Sequence, residues 1–149
     1  MNIHIICIGK IKEKSFKDII LEYEKRLSKF VKIYTHELLE DKTIDLECDK
    51  ILQKIEKISN PYIFTLDVNS NQYNSIEFAN KIKNVMTYNT SNLVFVIGGS
   101  DGLNKKIKEK SNDLVSFSKM TFPHQLIRIF LIEQIYRAFK INNNETYHK

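Results

Sequence analysis

The feature that most constrains the fold is an apolar strand that runs directly into a glycine-rich loop. The continuous apolar segment Leu93–Ile97 is followed by Gly98, Gly99 and Gly102. Such a strand is typical of a parallel sheet that is buried on both faces. Glycines at the carboxyl end of a buried parallel strand let a ligand approach the backbone closely. The segment therefore predicts a small-molecule pocket in an α/β protein, although a turn that needs positive φ explains the glycines equally well.

Short apolar segments and amphipathic helical patterns alternate along the rest of the chain. The predicted strands are Asn2–Ile8, Val31–Leu38, Tyr62–Leu66, Leu93–Ile97 and a short one near Leu114–Phe117. Asp67–Tyr73 is expected to be a polar loop. The alternation predicts an α/β fold, a mostly parallel sheet with helices on both faces. The length suits a single domain over residues 1–149.

Three polar residues are expected to begin the first helices. Ser15 is followed three residues later by Asp18, and Asn74 is followed by Glu77, as in a capping box. Thr43 follows a polar break and precedes an apolar stripe at helical spacing. These positions predict N-caps whose side chains accept hydrogen bonds from the first helical turn.

The last predicted helix, Pro123–Lys140, is apolar on most of its surface. A helix that is apolar all round must be buried on more than one face. Because so small a chain has a limited interior, part of this surface is expected to meet a second subunit.

Three loops follow the carboxyl ends of predicted strands and should lie together at one edge of the sheet: Leu66–Val68, Gly98–Gly102 and Ser116–Phe122.

Charge and cysteine content restrict the function only loosely. The formal net charge of +5 is compatible with nucleic acid, but many proteins share it. Seven lysines in two clusters could contact phosphates or only solvent: Lys10, Lys12, Lys14, Lys105, Lys106, Lys108 and Lys110. Cys7 and Cys48 are expected to be buried thiols, and the four histidines lack metal-ligand spacing, which predicts no metal.

The amino-terminal segment becomes charged too early for a signal peptide, and no apolar run is long enough to cross a membrane. These two observations favour a cytoplasmic protein without a membrane partner.

Charged and aromatic side chains near the carboxyl terminus have two interpretations each. Arg128 and Arg137 either pair with a neighbour such as Glu133 or hold a phosphate or carboxylate. The terminal Tyr147 and His148 are either frayed or face RNA. His124, at the start of the last helix, is expected to be structural.

The motif FVIGGSDGL, the segment SFSKMTFPHQLIRIFLIEQIYRAFKI and the terminal YHK resemble the RlmH family over the whole chain. These are bacterial 23S rRNA methyltransferases of the SPOUT superfamily. The resemblance implies a carboxyl-terminal trefoil knot, S-adenosyl-L-methionine as methyl donor and a homodimer with pockets near the subunit interface. It also implies methylation of N3 of a pseudouridine in 23S rRNA on the assembled ribosome, without a metal.

The same resemblance implies which residues form the site. The donor pocket would use Leu66, Gly98, Gly99, Gly102, Phe117, Ser118, Lys119, Met120, Thr121 and Phe122. This chain has Phe117 and Phe122 where the family usually has Leu, and Thr146 where it usually has Pro. On the acceptor side, His148 would take or relay the imide proton, Arg137 would stabilise the imide anion, and Tyr147 would stack on or hydrogen-bond the base.

Two other functions stay open. The chain could be a SPOUT methyltransferase with another RNA target, or a non-catalytic ribosome-binding protein that kept the fold and lost the donor site. Donor binding and the identity of the modified nucleotide distinguish these alternatives.

Overall fold

The computed structural model describes residues 1–149 and contains five strands and five helices that alternate along the chain. The strands are β1 (Asn2–Ile8), β2 (Lys32–Leu38), β3 (Pro61–Gln72), β4 (Asn92–Ile97) and β5 (Asp113–Ser116). The helices are α1 (Lys14–Leu27), α2 (Ile44–Ile55), α3 (Ser75–Tyr88), α4 (Lys105–Lys110) and α5 (His124–Asn142).

All five strands form one parallel sheet in the order β2-β1-β4-β3-β5. The central strand β4 is apolar after Asn92, and Leu93–Ile97 are each at most 4% exposed. Because the strands are parallel, their carboxyl ends lie at the same edge of the sheet. The predicted parallel sheet is confirmed, and the loops singled out in the sequence meet at this edge.

Helices cover both faces of the sheet, as predicted. Ile5 of β1 packs with buried residues of α1, α3 and α5. The next residue, Ile6, points to the other face and packs with α2 and α4. Burial of one such side chain stabilises the fold by about 1.5–3 kcal/mol. The apolar character of β1 at successive positions therefore follows from its helices on both sides.

Two of the three predicted N-caps are confirmed. Thr43 Oγ1 accepts a hydrogen bond from Leu46 N at 3.2 Å, and Asn74 forms the complete capping box with Glu77. The prediction for Ser15 was wrong, because α1 already begins at Lys14 and Ser15 lies within its first turn. The N-cap is Glu13, whose extended backbone precedes the helix and whose side chain makes no capping hydrogen bond.

The predicted loop Asp67–Tyr73 was also wrong, because β3 continues to Gln72. Its register with β5 shifts between Leu66 and Asn71, so Val115 pairs with both residues. Polar composition at this end reflects the exposure of the strand beyond the core rather than a loop. Backbone pairing with β5 stabilises it, which a composition pattern does not reveal.

The remaining expectations concern the cysteines, membrane spans and the knot. Cys7 and Cys48 are free and buried, as predicted. Across the structure, helices fall short of the combined length and apolarity that a membrane span requires. The trefoil knot implied by the resemblance stays a prediction.

Candidate active site

A cleft of about 540 Å³ lies at the carboxyl edge of the sheet, where the loops after β3, β4 and β5 meet. Nine of the ten residues expected to hold the methyl donor line it: Leu66, Gly98, Gly99, Gly102, Phe117, Ser118, Met120, Thr121 and Phe122. The tenth, Lys119, is exposed and does not line the cleft. The structure thus brings together residues that are more than fifty positions apart in the sequence.

The glycine loop folds back on itself to form one wall of this cleft. Gly99 and Gly102 form a bridge in which Gly102 N donates to Gly99 O at 3.1 Å. Gly102 has φ +84°, the left-handed conformation that favours glycine. A Cβ on Gly98 would lie only 2.8 Å from the carbonyl oxygen of Gly102. The tight turn therefore requires glycines, and it leaves backbone rather than side chains facing the cleft.

The opposite wall is the loop between β5 and α5, which local hydrogen bonds shape. Ser116 Oγ donates to Ser118 O at 2.8 Å, and Met120 N donates to Ser118 Oγ at 3.0 Å. Phe122 packs edge-on against Phe130 of α5 with ring centroids 5.5 Å apart. The apolar rings of Phe117 and Phe122 line the cleft and suit an aromatic ligand group.

An ion pair that the sequence pattern did not indicate lines the cleft. Lys108 Nζ of α4 is 3.1 Å from Asp67 Oδ2, and both residues line the cleft. Asp67 directly follows the predicted strand Tyr62–Leu66, so its position at a carboxyl strand end was the available signal. This pair supplies the charged groups beside an otherwise apolar and backbone surface. His124, expected to be structural, also lines the cleft.

The carboxyl-terminal tail is folded back onto α5 rather than frayed. Tyr147 OH donates to Glu133 Oε1 at 3.2 Å, and Arg137 Cζ lies 4.8 Å from the centre of the Tyr147 ring. Arg137 Nη1 is 3.3 Å from His148 Nδ1. Burial, followed by hydrogen bonding with Tyr23 and the charge of Glu133, raises the pKa of Tyr147 above its ordinary value. The structure therefore brings Arg137, Tyr147 and His148 together.

Arg128 and Arg137, which had the same two interpretations in the sequence, have different surroundings in the structure. Arg128 is 5% exposed and pairs with Glu37 of β2, with Nη1 and Oε2 3.2 Å apart. This ion pair is partly buried, and the partner of Arg128 is Glu37 rather than Glu133. Arg137 pairs with Glu133, with Nη2 and Oε1 2.6 Å apart, and this hydrogen bond raises the pKa of Arg137. Only Arg137 also reaches a predicted acceptor-side residue.

One loop borders both the cleft and a cavity beside the tail. His148 lines a second cavity of about 890 Å³ between α1, α5 and the start of α3. Phe117, Ser118 and Phe122 line both this cavity and the cleft at the carboxyl edge of the sheet. The loop between β5 and α5 is therefore a shared wall. No group of three or more His, Cys, Asp or Glu side chains is arranged to hold a metal ion.

Comparisons with known proteins agree on one family. The family described as "Predicted SPOUT methyltransferase" matches residues 1–148. Proteins named "Ribosomal RNA large subunit methyltransferase H" are 44% identical in Lactobacillus helveticus (strain DPC 4571) and 46% identical in Clostridium tetani (strain Massachusetts / E88). Each alignment spans 161 residues and covers the whole of both chains.

A solved structure of "a probable methylase family protein" from Haemophilus influenzae Rd KW20 has a similar fold. It superposes with a TM-score of 0.57 over 99% of this chain and 70% of that chain, at 11% sequence identity. This likeness supports the fold alone, whereas the full-length sequence matches identify the family. The chain belongs to the SPOUT methyltransferase family, within its RlmH group.

Proposed function

We propose that this protein transfers a methyl group from S-adenosyl-L-methionine to N3 of a pseudouridine in 23S rRNA on the assembled ribosome. The observation that carries the proposal is the shared loop, which lines both the glycine cleft and the cavity that His148 lines. Alignments over the full length with relatives named as rRNA methyltransferases, at 44% and 46% identity, support an RNA substrate. A ribosomal substrate would also place the protein in the cytoplasm.

The cleft has the size and chemistry that the donor requires. Its volume of about 540 Å³ is in the range of ordinary small-molecule sites. Phe117 and Phe122 would contact the adenine, and the side-chain-free turn at Gly98 would let the donor lie against the backbone. Asp67 and Lys108 could bind its polar groups. When bound, the donor supplies a methyl group made electrophilic by a sulfonium, so the reaction requires no metal.

The acceptor side would be formed by Arg137, Tyr147 and His148. N3 of a pseudouridine lies between two carbonyl groups and becomes nucleophilic when its proton leaves. The Arg137 guanidinium would stabilise the resulting imide anion, and the Tyr147 ring would pack against the base. These roles are consistent with the mutual contacts of the three side chains in the tail.

A homodimer is part of the proposal. The cavity beside the tail is lined by apolar side chains that remain exposed, with Ile19 at 40%, Ile76 at 51% and Phe130 at 39%. Exposed apolar groups around one cavity favour a protein partner. A second copy would cover this surface and lie next to the shared loop, close to both sides of the proposed site.

A labelled methyl-transfer assay tests the proposed function. Labelled S-adenosyl-L-methionine is incubated with the protein and ribosomes from a strain that lacks it, beside free 23S rRNA and separate subunits. We expect label at a single pseudouridine of the assembled ribosome only. Label at another nucleotide would indicate the SPOUT enzyme with a different target. Donor binding without transfer to any RNA would contradict the substrate, and absence of donor binding would favour the non-catalytic alternative.

A further inference from the structure

Glu133 on α5 is the centre of the hydrogen-bond network that holds the tail. Its Oε1 accepts from Arg137 Nε at 3.0 Å, from Arg137 Nη2 at 2.6 Å and from Tyr147 OH at 3.2 Å. Its Oε2 accepts from Gln134 Nε2 at 2.7 Å. The side chain is only 19% exposed, so little of the carboxylate is left for solvent. This geometry makes Glu133 a support for Arg137 and Tyr147, although it also lines the cavity beside the tail.

The contact between Arg137 and His148 determines which nitrogen of the imidazole carries the proton. A guanidinium has only donors, so Nη1 of Arg137 can hydrogen-bond Nδ1 of His148 only if Nδ1 has a free lone pair. The two nitrogens are 3.3 Å apart. The proton of the neutral ring is then on Nε2, which makes the exposed nitrogen of His148 a donor. A base that removes a proton through Nε2 would need the opposite tautomer.

We propose that Glu133 is a positioning residue that acts through Arg137 to hold His148 as a hydrogen-bond donor at Nε2–H. The inference rests on the proposed function and assigns His148 a role other than proton removal. The donor suits a carbonyl oxygen beside N3, where the charge of the imide anion collects. The N3–H bond breaks with its proton passing to water. The N3–methyl bond forms as the methyl–sulfur bond breaks, and the sulfonium becomes a neutral thioether.

Two substitutions of His148 distinguish a donor from a base. In His148→Gln the side-chain amide keeps an N–H donor near the place of Nε2 but cannot take up a proton. His148→Ala removes both abilities. Single-turnover methylation of ribosomes at saturating donor should stay within about tenfold of wild type in His148→Gln and fall on the order of 10²–10³-fold in His148→Ala. Equal losses in the two variants would overturn the donor role.

The role of Glu133 is tested against a matched ion pair elsewhere in the chain. Glu22 and Arg26 have the same spacing, with Arg26 Nε donating to Glu22 Oε1 at 3.0 Å, but lie on the exposed face of α1. We expect Glu133→Gln to lower the rate at saturating ribosomes by about 10–100-fold through misplacement of Arg137 and His148. The dissociation constant for donor should change less than about twofold, and Glu22→Gln should match wild type in both.

Hydrogen exchange of the tail provides a readout that does not require turnover. If Glu133 holds the tail, backbone amides of residues 143–149 exchange faster in Glu133→Gln than in wild type or Glu22→Gln. If wild type is active and Glu133→Gln has the same methylation rate and the same amide exchange, the positioning role of Glu133 is overturned and the proposed function is not. A wild-type protein that binds donor but methylates no RNA would overturn the proposed function, and with it the catalytic part of this inference.

Discussion

Gly98 occupies a position where a single added carbon would disturb the proposed donor cleft. A Cβ there would lie 2.8 Å from Gly102 O and 2.9 Å from Leu103 Cγ, closer than packed atoms allow. We therefore expect Gly98→Ala to weaken donor binding at least about tenfold and to lower the free energy of unfolding by about 1–3 kcal/mol. Calorimetric titration with donor and denaturant unfolding measure the two effects.

The matched control for that variant is Asp101→Ala in the same loop, since Asp101 is exposed and does not line the cleft. It should bind donor as wild type does. Wild-type affinity in Gly98→Ala would show that the turn is not part of the binding surface.

His36 makes stability depend on pH. Burial first, then the charge of Lys54 and the proximity of His4, lowers the pKa of His36 from 6.5 to about 4. Between these values the unfolded chain binds more protons than the folded one, so stability rises with pH across this interval. We expect the thermal unfolding midpoint of wild type to fall as pH drops from 7 to 4.5, and to fall less in His36→Gln.

The two proteins should respond in parallel between pH 8 and pH 9, where His36 is almost entirely neutral in both states. An identical decrease at low pH in both proteins would show that His36 contributes nothing to the pH dependence. His4, whose pKa is also lowered by burial and by Lys54, remains in the variant and retains part of the effect.

At the carboxyl edge of the sheet, the Glu37 carboxylate connects β2 to the loop before α1 and to α5. Glu37 Oε2 of β2 accepts from Ile11 N, in the loop before α1, at 3.0 Å and from Arg128 Nη1 of α5 at 3.2 Å. Glu37→Ala would leave the Arg128 guanidinium, only 5% exposed, without its counter-charge. Because Glu37 itself is 34% exposed, we expect a loss of about 2 kcal/mol rather than the larger cost of a fully buried pair.

Denaturant unfolding measures that loss, with Glu22→Ala as the control. The Glu22–Arg26 pair is exposed on α1, and its removal should cost about 0.3–0.5 kcal/mol. Equal destabilisation by the two substitutions would mean that the buried arginine finds another partner or solvent.

At the scale of elements, sequence pattern predicts best where burial determines composition. The apolar strands β1 and β4 and the stripe of α2 were predicted because each must contact the core. The end of β3 was missed because its pairing with β5 at Asn71 and Gln72 uses backbone groups, which composition does not record. The prediction that Ser15 is an N-cap was wrong for a related reason. The backbone of the loop before α1 determines where the helix begins, and the side-chain pattern does not record it.

At the scale of the whole molecule, the site was predictable only in part. Loops at carboxyl strand ends indicated where a cleft forms, whereas the residues proposed to hold the donor and the proposed role of the tail came from the resemblance. The i,i+4 spacing of Glu133 and Arg137 was a usable signal for their pair. The return of Tyr147 to Glu133 was not, because local pattern does not specify how a polar terminus packs on a helix fourteen positions earlier.

The apolar surface beside the tail leads to a prediction about assembly. Ile19 of α1, Ile76 of α3 and Phe130 of α5 line one cavity and remain 40%, 51% and 39% exposed. If a second copy covers them, the protein at micromolar concentration has twice the chain mass of 17.6 kDa. Phe130→Lys should then yield monomers, because a buried ammonium without a partner opposes association.

Light scattering or sedimentation measures the mass, and Leu39→Lys is the matched control. Leu39 is 67% exposed and lies after β2, away from the residues that line this cavity. It should leave the dimer intact. A monomeric wild type would contradict the dimer, and a dimeric Phe130→Lys would place the interface on another surface. Phe130→Lys could lose both dimerisation and methylation while it keeps its donor affinity. That result would link the second subunit to the acceptor side of the proposed site.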